Sequence, residues 1–165
     1  MPAIVDIETN GLKDTATDIH CIVAKCPKTN TIKEWIGEDC KSFGEWSKGI
    51  DTFIMHNGLS FDAPLLNKFT GSDIKPNQIR DTLLESQLFN PLREEGHGLA
   101  AWGRRLNFAK HDIDSFDTYT PEMLNYCRQD VNLTHKVMTI LDKEKVKFST
   151  NSIDLEKAIR ILLDE

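Results

Sequence analysis

No stretch of the 165-residue sequence approaches the ~20 consecutive apolar residues that cross a bilayer, and the first apolar run is interrupted almost at once by Asp6. Neither a membrane span nor a secretory signal peptide is therefore expected. A positive surplus is also lacking. With 20 basic and 26 acidic residues the net charge is −6, which argues against holding nucleic acid through a broad basic surface. It does not exclude an enzyme that reaches phosphate through bound divalent cations, because the ions then carry the attraction. The four cysteines, Cys21, Cys26, Cys40 and Cys127, show no framework spacing. His20, Cys21 and Cys26 lack the Cys-x-x-Cys pair of a zinc site. Reduced thiols in a cytoplasmic protein are the expectation. Internal repeats and low-complexity tracts are missing too, and the length suits one domain, residues 1–165, with its own core.

What the chain does have begins at Ala3-Ile4-Val5-Asp6-Ile7-Glu8-Thr9, an apolar strand ending in two carboxylates, then Asn10-Gly11, a tight-turn signal. On a strand, residues i and i+2 share a face, so Asp6 and Glu8 lie side by side while Val5 and Ile7 point into the core. Two neighbouring ionised carboxylates repel unless a cation compensates, and hard divalent ions prefer such oxygen ligands. Taken alone, Asp-x-Glu also fits two solvated acids.

Apolar runs at Ile19–Ala24 and Thr31–Ile36 predict two further strands of a meander. Lys41–Lys48 reads as a short helix and Thr52–His56 as a buried strand. Asp62 stands where a helix N-cap is expected, followed by Ala63, Pro64, Leu65, Leu66 and Phe69. Gln78–Asp81 predicts a short strand, Thr82–Leu88 a helix, and Gly98–Leu106 another with Leu99, Trp102 and Leu106 inward and Arg104 and Arg105 outward. After a polar loop, Asn107–Tyr119, comes the clearest helix, capped by Thr120 with Pro121 in its first position and apolar residues recurring from Leu124 to Leu141. A Lys/Ser-rich break then separates a final helix, Ile153–Leu163. Trp35, Trp46 and Trp102 are assigned to packing, and His97 to a cap or surface role. This order describes an α/β fold: a mixed five-stranded sheet with helices on both faces, in the ribonuclease H-like arrangement.

On the Thr120 helix, Tyr126 and Asp130 are one turn apart on the same face. Together, Asp6-Ile7-Glu8, Asn57-Gly58-Leu59-Ser60-Phe61-Asp62 and Tyr126-Cys127-Arg128-Gln129-Asp130 resemble the three exonuclease motifs of the DnaQ-like superfamily, in its tyrosine-bearing (DEDDy) branch. The histidine-bearing branch places its base five residues before the last aspartate, where this chain has Asn125. Asp81-Thr82-Leu83 and His97-Gly98-Leu99-Ala100-Ala101-Trp102-Gly103-Arg104-Arg105-Leu106 look like the proofreading domain of family A DNA polymerases of short-tailed phages. The resemblance covers nearly the whole chain, and the Asn57-to-Asp62 spacing agrees with the phage subgroup.

The resemblance implies a 3′→5′ exonuclease releasing 5′-nucleoside monophosphates from single-stranded DNA ends, using two divalent cations, Mg²⁺ or Mn²⁺, about 3.5–4 Å apart. By the same resemblance Asp6, Glu8, Asp62 and Asp130 are catalytic metal ligands, with Asp6 shared between the ions, and Tyr126 orients the attacking water. Asn57 donates to the substrate or fixes the carboxylates, the Glu8 side chain and the Thr9 backbone amide meet the terminal 3′-hydroxyl, and Leu12 packs on the terminal base; Leu12 equally fits an ordinary core leucine. A phenol titrating near ~10 is a poor base at neutral pH, so water activation falls to the metal. A ribonuclease D-like RNA trimmer would use the same residues, because discrimination of the 2′-position lies in local shape. A non-catalytic nucleic-acid-binding or polymerase-partner module would be expected to lack a ligand, and none is missing here. In the resembled polymerases the segment like Ser152–Leu163 leads into the polymerase half. The implied partners are therefore a DNA 3′ end and a polymerase half or subunit, in a host cytoplasm if the chain is phage-encoded.

Overall fold

The structure, a computed structural model, describes residues 1–108, 113 and 115–163; of residues 149–163 it describes the helical backbone alone. Strand β1 (Pro2–Thr9) lies at the centre of a five-stranded sheet of order β3-β2-β1-β4-β5. On one side β2 (Ile19–Lys25) and β3 (Ile32–Ile36) form the antiparallel meander, and on the other β4 (Thr52–Met55) and β5 (Ile79–Asp81) run parallel. This is the mixed sheet expected of a ribonuclease H-like α/β fold.

A central strand with helices on both faces must be apolar on both, and β1 is buried along its length except at Pro2 and Asp6. Ala3, Val5 and Ile7 pack with Phe43, Phe53 and Leu66 toward α1 (Phe43–Ser47) and α2 (Asp62–Thr70). Ile4 packs the other way with Cys21, Val23 and Ile54, against Met123, Cys127 and Val131 of α5 (Pro121–Leu163). A third cluster, Trp102 with Leu133, Val137 and Leu141, seats α4 (Leu99–Arg105) on α5. Helix α3 (Thr82–Phe89) also packs along α5. Thr120 caps α5 as its sequence predicts, with its Oγ1 accepting from the Met123 amide at 3.2 Å. No helix among the described residues is long and apolar enough to cross a membrane.

Several expectations are corrected. Helix α5 runs without the Lys/Ser-rich break. Between Pro121 and Leu163 there is no further proline and no glycine, and lysine and glutamate are good helix formers. The side chains of its last stretch, and residues 109–112 and 114 of the polar loop, lie outside the described residues. A 3₁₀ turn, Gly37–Ser42, occupies the start of the expected Lys41–Lys48 helix. Arg105 is no solvated face: its guanidinium stacks 4.6 Å from the Trp102 ring and donates to the Glu94 and Gly96 carbonyls. Arg93 covers the same indole at 4.4 Å. His97 does not cap α4, since Gly98 holds that position, and its half-buried ring bonds Ser86 Oγ at 2.9 Å.

Candidate active site

Alternation on β1 turns Asp6 and Glu8 to the same face as Ile4, the face that α5 covers. The α5 backbone is tied to that strand by the Cys127 thiol, which donates to the Asp6 carbonyl at 3.3 Å. Tyr126 and Asp130, on the same helix face, are thereby brought over the two β1 acids.

The fourth carboxylate arrives through a tight turn after β4. Asn57 has φ +67°, a left-handed conformation that Asn tolerates better than most residues. A Cβ on Gly58 would lie 2.3 Å from Met55 Cβ, so only glycine fits there. Asp81, at the end of β5, pins the turn: its carboxylate accepts from the amides of Asn57 at 3.0 Å and Leu59 at 3.1 Å while also capping α3 through Leu83. Asp62 is the first residue of α2, not its cap; Phe61 occupies the cap position without a side-chain bond. The Ala63 amide reaches the Gly58 carbonyl at 2.9 Å, which leaves the Asp62 carboxylate to face the site.

Asp6, Glu8, Asn57, Asp62, Tyr126 and Asp130 line one polar cavity of about 270 Å³, with His56, Phe61 and Phe116 at its walls. An apolar cavity of about 290 Å³ adjoins it, sharing Ile7, Glu8, Phe61 and Phe116 and adding Thr9, Gly11 and Leu12. Leu12 is 77% exposed, so the core-leucine alternative does not hold.

The carboxylates are crowded and shielded. Glu8, Asp62 and Asp130 are buried, and Asp6, though slightly exposed, has a buried Oδ2 with no hydrogen-bond partner. Burial pushes the Asp6 carboxyl well above its usual range, and the charges of Asp130, Glu8 and Asp62 push it further. Asp62 is raised to about 7, chiefly by burial and also by the charges of Asp81 and Asp130, against an opposing effect of the backbone amides of Asp62 and Ile7. Such a set fits a hard divalent cation, which would satisfy the orphaned oxygen and relieve the repulsion. Ligand atoms of Asp6, Glu8 and Cys127 lie within 4.8 Å of one another. Burial pushes the Cys127 thiol far above its ordinary range, and the thiol is already engaged in donating to the Asp6 carbonyl, so the oxygens are the better donors for a hard cation.

The structure thus brings together every site residue expected from the sequence: Asp6, Glu8, Asn57, Asp62, Tyr126 and Asp130 around one cavity, Thr9 and Leu12 around its neighbour. Sequence reasoning gave no role to Asp81, Cys127, Phe61 or Phe116. Asp81, Phe61 and Cys127 stand within or beside the motif stretches; Phe116 lies in an irregular loop with no local signal.

No protein-family model and no curated protein sequence matches the chain. Solved structures do. Brucella melitensis NrnC bound to pGG superposes with a TM-score of 0.67 at 19% identity over 98% of this chain and 80% of that one. The same nuclease with bound Mg²⁺ gives 0.67 at 19% identity, over 98% and 81%. Phi29 DNA polymerase complexed with primer-template DNA gives 0.59 at 14% identity over 87% of this chain but 31% of the polymerase. The chain shares its fold with the Brucella nuclease and with the matching part of phi29 DNA polymerase.

Proposed function

We propose that this chain is a divalent-metal-dependent 3′→5′ exonuclease of the tyrosine-bearing, proofreading type, which hydrolyses the terminal phosphodiester of single-stranded DNA to a 5′-nucleoside monophosphate. One observation carries the reading: four carboxylates and a phenol line one cavity that adjoins an apolar cavity of about 290 Å³. Support comes from the fold it shares with a nuclease bound to pGG and a polymerase holding primer-template DNA.

Asp6, Glu8 and Asp130 would hold one divalent cation, Mg²⁺ or Mn²⁺, and Asp6 with Asp62 a second. Such ions supply positive charge to the attacking and departing oxygens of an in-line displacement. Tyr126 aligns the water whose oxygen bonds to phosphorus, while the bond from phosphorus to the preceding 3′ oxygen breaks and that oxygen takes up a proton. Glu8 and the Thr9 backbone meet the terminal 3′-hydroxyl, and Asn57 donates to substrate. The terminal base occupies the apolar cavity, where Leu12, Phe61 and Phe116 touch its faces without reading its edges; stacking of this kind accepts any base.

The chain works as one domain, 1–165, in a cytoplasm, that of the host if it is phage-encoded. The C-terminal stretch of α5, residues 152–163, leads into or docks a polymerase half. The test is a Mg²⁺ and Mn²⁺ titration on 3′-labelled DNA and RNA oligonucleotides of matched sequence. Metal-dependent release of labelled mononucleotide, faster on DNA, is expected, with Ca²⁺ suppressing it because its looser coordination does not enforce in-line geometry. Full hydrolysis in excess chelator would overturn the metal requirement, and faster release from RNA would move the substrate to the ribonuclease D-like class.

A further inference from the structure

Strand β2 changes register opposite the site: Glu8 pairs with Cys21 and Thr9 with Ile19, so His20 is the extra residue of a bulge. Bulges beside functional sites re-aim a side chain. Here the re-aimed side chain is buried, with 8% exposure, and its Nε2 lies 2.8 Å from the carbonyl oxygen of Phe116, 96 residues away. A carbonyl only accepts, so Nε2 carries the proton. This hydrogen bond ties Phe116 to the sheet. Locally Phe116 is presented by a small turn, in which the Asp117 amide donates to Ser115 Oγ at 3.1 Å and that hydroxyl donates to Asp117 Oδ2 at 3.0 Å.

The Phe116 ring walls both the carboxylate cavity and the apolar one, and it stands edge-on to Tyr126, 6.2 Å between centroids at 81°. Its backbone position therefore sets two things together: the width of the apolar cavity and one contact of the phenol.

We propose that His20 is a positioning residue for the 3′-terminal nucleotide, holding the Phe116 carbonyl so that the Phe116 ring, with Leu12, forms the wall against which the terminal base stacks. The inference rests on the exonuclease reading of the site. His20 touches no reacting atom and acts through Phe116, so removing it loosens substrate more than it slows chemistry.

The test compares the full chain with His20→Ala, His20→Gln, Phe116→Ala and the His20→Ala/Phe116→Ala double variant. Affinity for a 5′-fluorescein single-stranded oligodeoxynucleotide is read by anisotropy in Ca²⁺, and KM and kcat are read in Mg²⁺. His20→Ala is expected to weaken binding and raise KM about tenfold, the scale of one hydrogen bond, with kcat within about threefold of wild type. The double variant should be no worse than Phe116→Ala, and His20→Gln, whose amide can donate, should recover most of the affinity. Should His20→Ala not melt cooperatively, His20→Leu, which fills the space without a donor, takes its place. Unchanged binding in His20→Ala, or losses that multiply in the double variant, would overturn the role of His20 while leaving the exonuclease reading intact. A wild-type chain that neither binds nor trims 3′ ends would overturn both.

Discussion

Asp6 sits on the central strand with one buried oxygen that no donor satisfies, beside Glu8, Asp62 and Asp130, whose charges raise its proton affinity. A carboxylate so placed is unfavourable for the metal-free fold, and that sets its signature on mutation. Asp6→Ala should abolish turnover, through loss of a ligand shared by both proposed ions, while thermal stability in chelator stays equal or rises. A variant that unfolds, or that keeps near-native turnover, would show Asp6 to be structural. Asp62 allows the same logic to be followed with pH. Its pKa of about 7 lies above the ~3.9 of an unfolded aspartate, so the folded state retains a proton that the unfolded chain releases. The stability this gives is complete below about pH 4 and is lost as pH rises through about 7. Asp62→Asn removes the effect, so in chelator its melting temperature should draw ahead of wild type as pH is raised from 5 to 8. His135, whose pKa is lowered by burial and by Lys25 and Lys136, loses stability as pH falls, but it does so in both proteins and cancels. Divalent cation should stabilise wild type more than the variant, and a pH-independent gap would refute the account. Tyr126 ranks below the acids, for an outer-shell orienting group is worth about 10–100-fold. Tyr126→Phe should slow hydrolysis by that much with metal affinity little changed, and Asp130→Asn should be far more severe. Equal losses would mean that the phenol does more than align water.

Elements turn these separate residues into a site, and Asp81 shows how. A single buried carboxylate at the end of β5 caps α3 and also holds the Asn57–Leu59 turn that delivers Asp62. Asp81→Ala should destabilise the fold by about 2–4 kcal/mol, the sum of a lost cap and charge-assisted bonds to buried amides, and should weaken metal binding although Asp81 is no ligand. Denaturant melts paired with metal titration check this; intact metal affinity in a destabilised fold would confine Asp81 to stability. The strands, the Thr120 cap and the Tyr126–Asp130 face were legible in the sequence because each follows from a local period or a capping residue. Features that depend on distant parts of the chain were not. The role of Asp81 needs β4, β5 and α3 in place at once, and the stacking of Arg105 on Trp102 overrides the polarity that made it read as a solvated face. The break expected before Ile153 was an error of local reading, since lysine and serine lower helix propensity far less than glycine or proline. Leu12 and Phe116 lie in irregular segments, where no period marks which side chains will share a cavity.

At the scale of the whole molecule, on the proposed exonuclease reading, charge and cavity shape would decide which ends are cut. The chain carries a net charge of −6, and neither cavity has a lysine or arginine among its described lining residues. Tracking along a duplex backbone through cations is thus unsupported, and attraction for phosphate would fall to the ions proposed to be held by the acids. The walls that would meet the base are Leu12, Phe61 and Phe116, which offer faces to stack on and no donor or acceptor to read an edge. Selectivity for mismatches should therefore come from the DNA. Seating a 3′ nucleotide in a partly enclosed cavity requires unpairing it, at a cost of a few kcal/mol that is smallest for a mismatched or already single-stranded end. Rates should fall from single strand to mismatched duplex to matched duplex, and the dependence on monovalent salt should be shallow, because few phosphates are neutralised by side chains. The measurement is the ratio of degradation rates for mismatched and matched termini across a series of end stabilities at fixed salt. The ratio should shrink toward unity as end melting is equalised. If it stays large, the chain contains a mismatch-reading surface outside the two cavities, and the assignment of base contacts to Leu12, Phe61 and Phe116 fails.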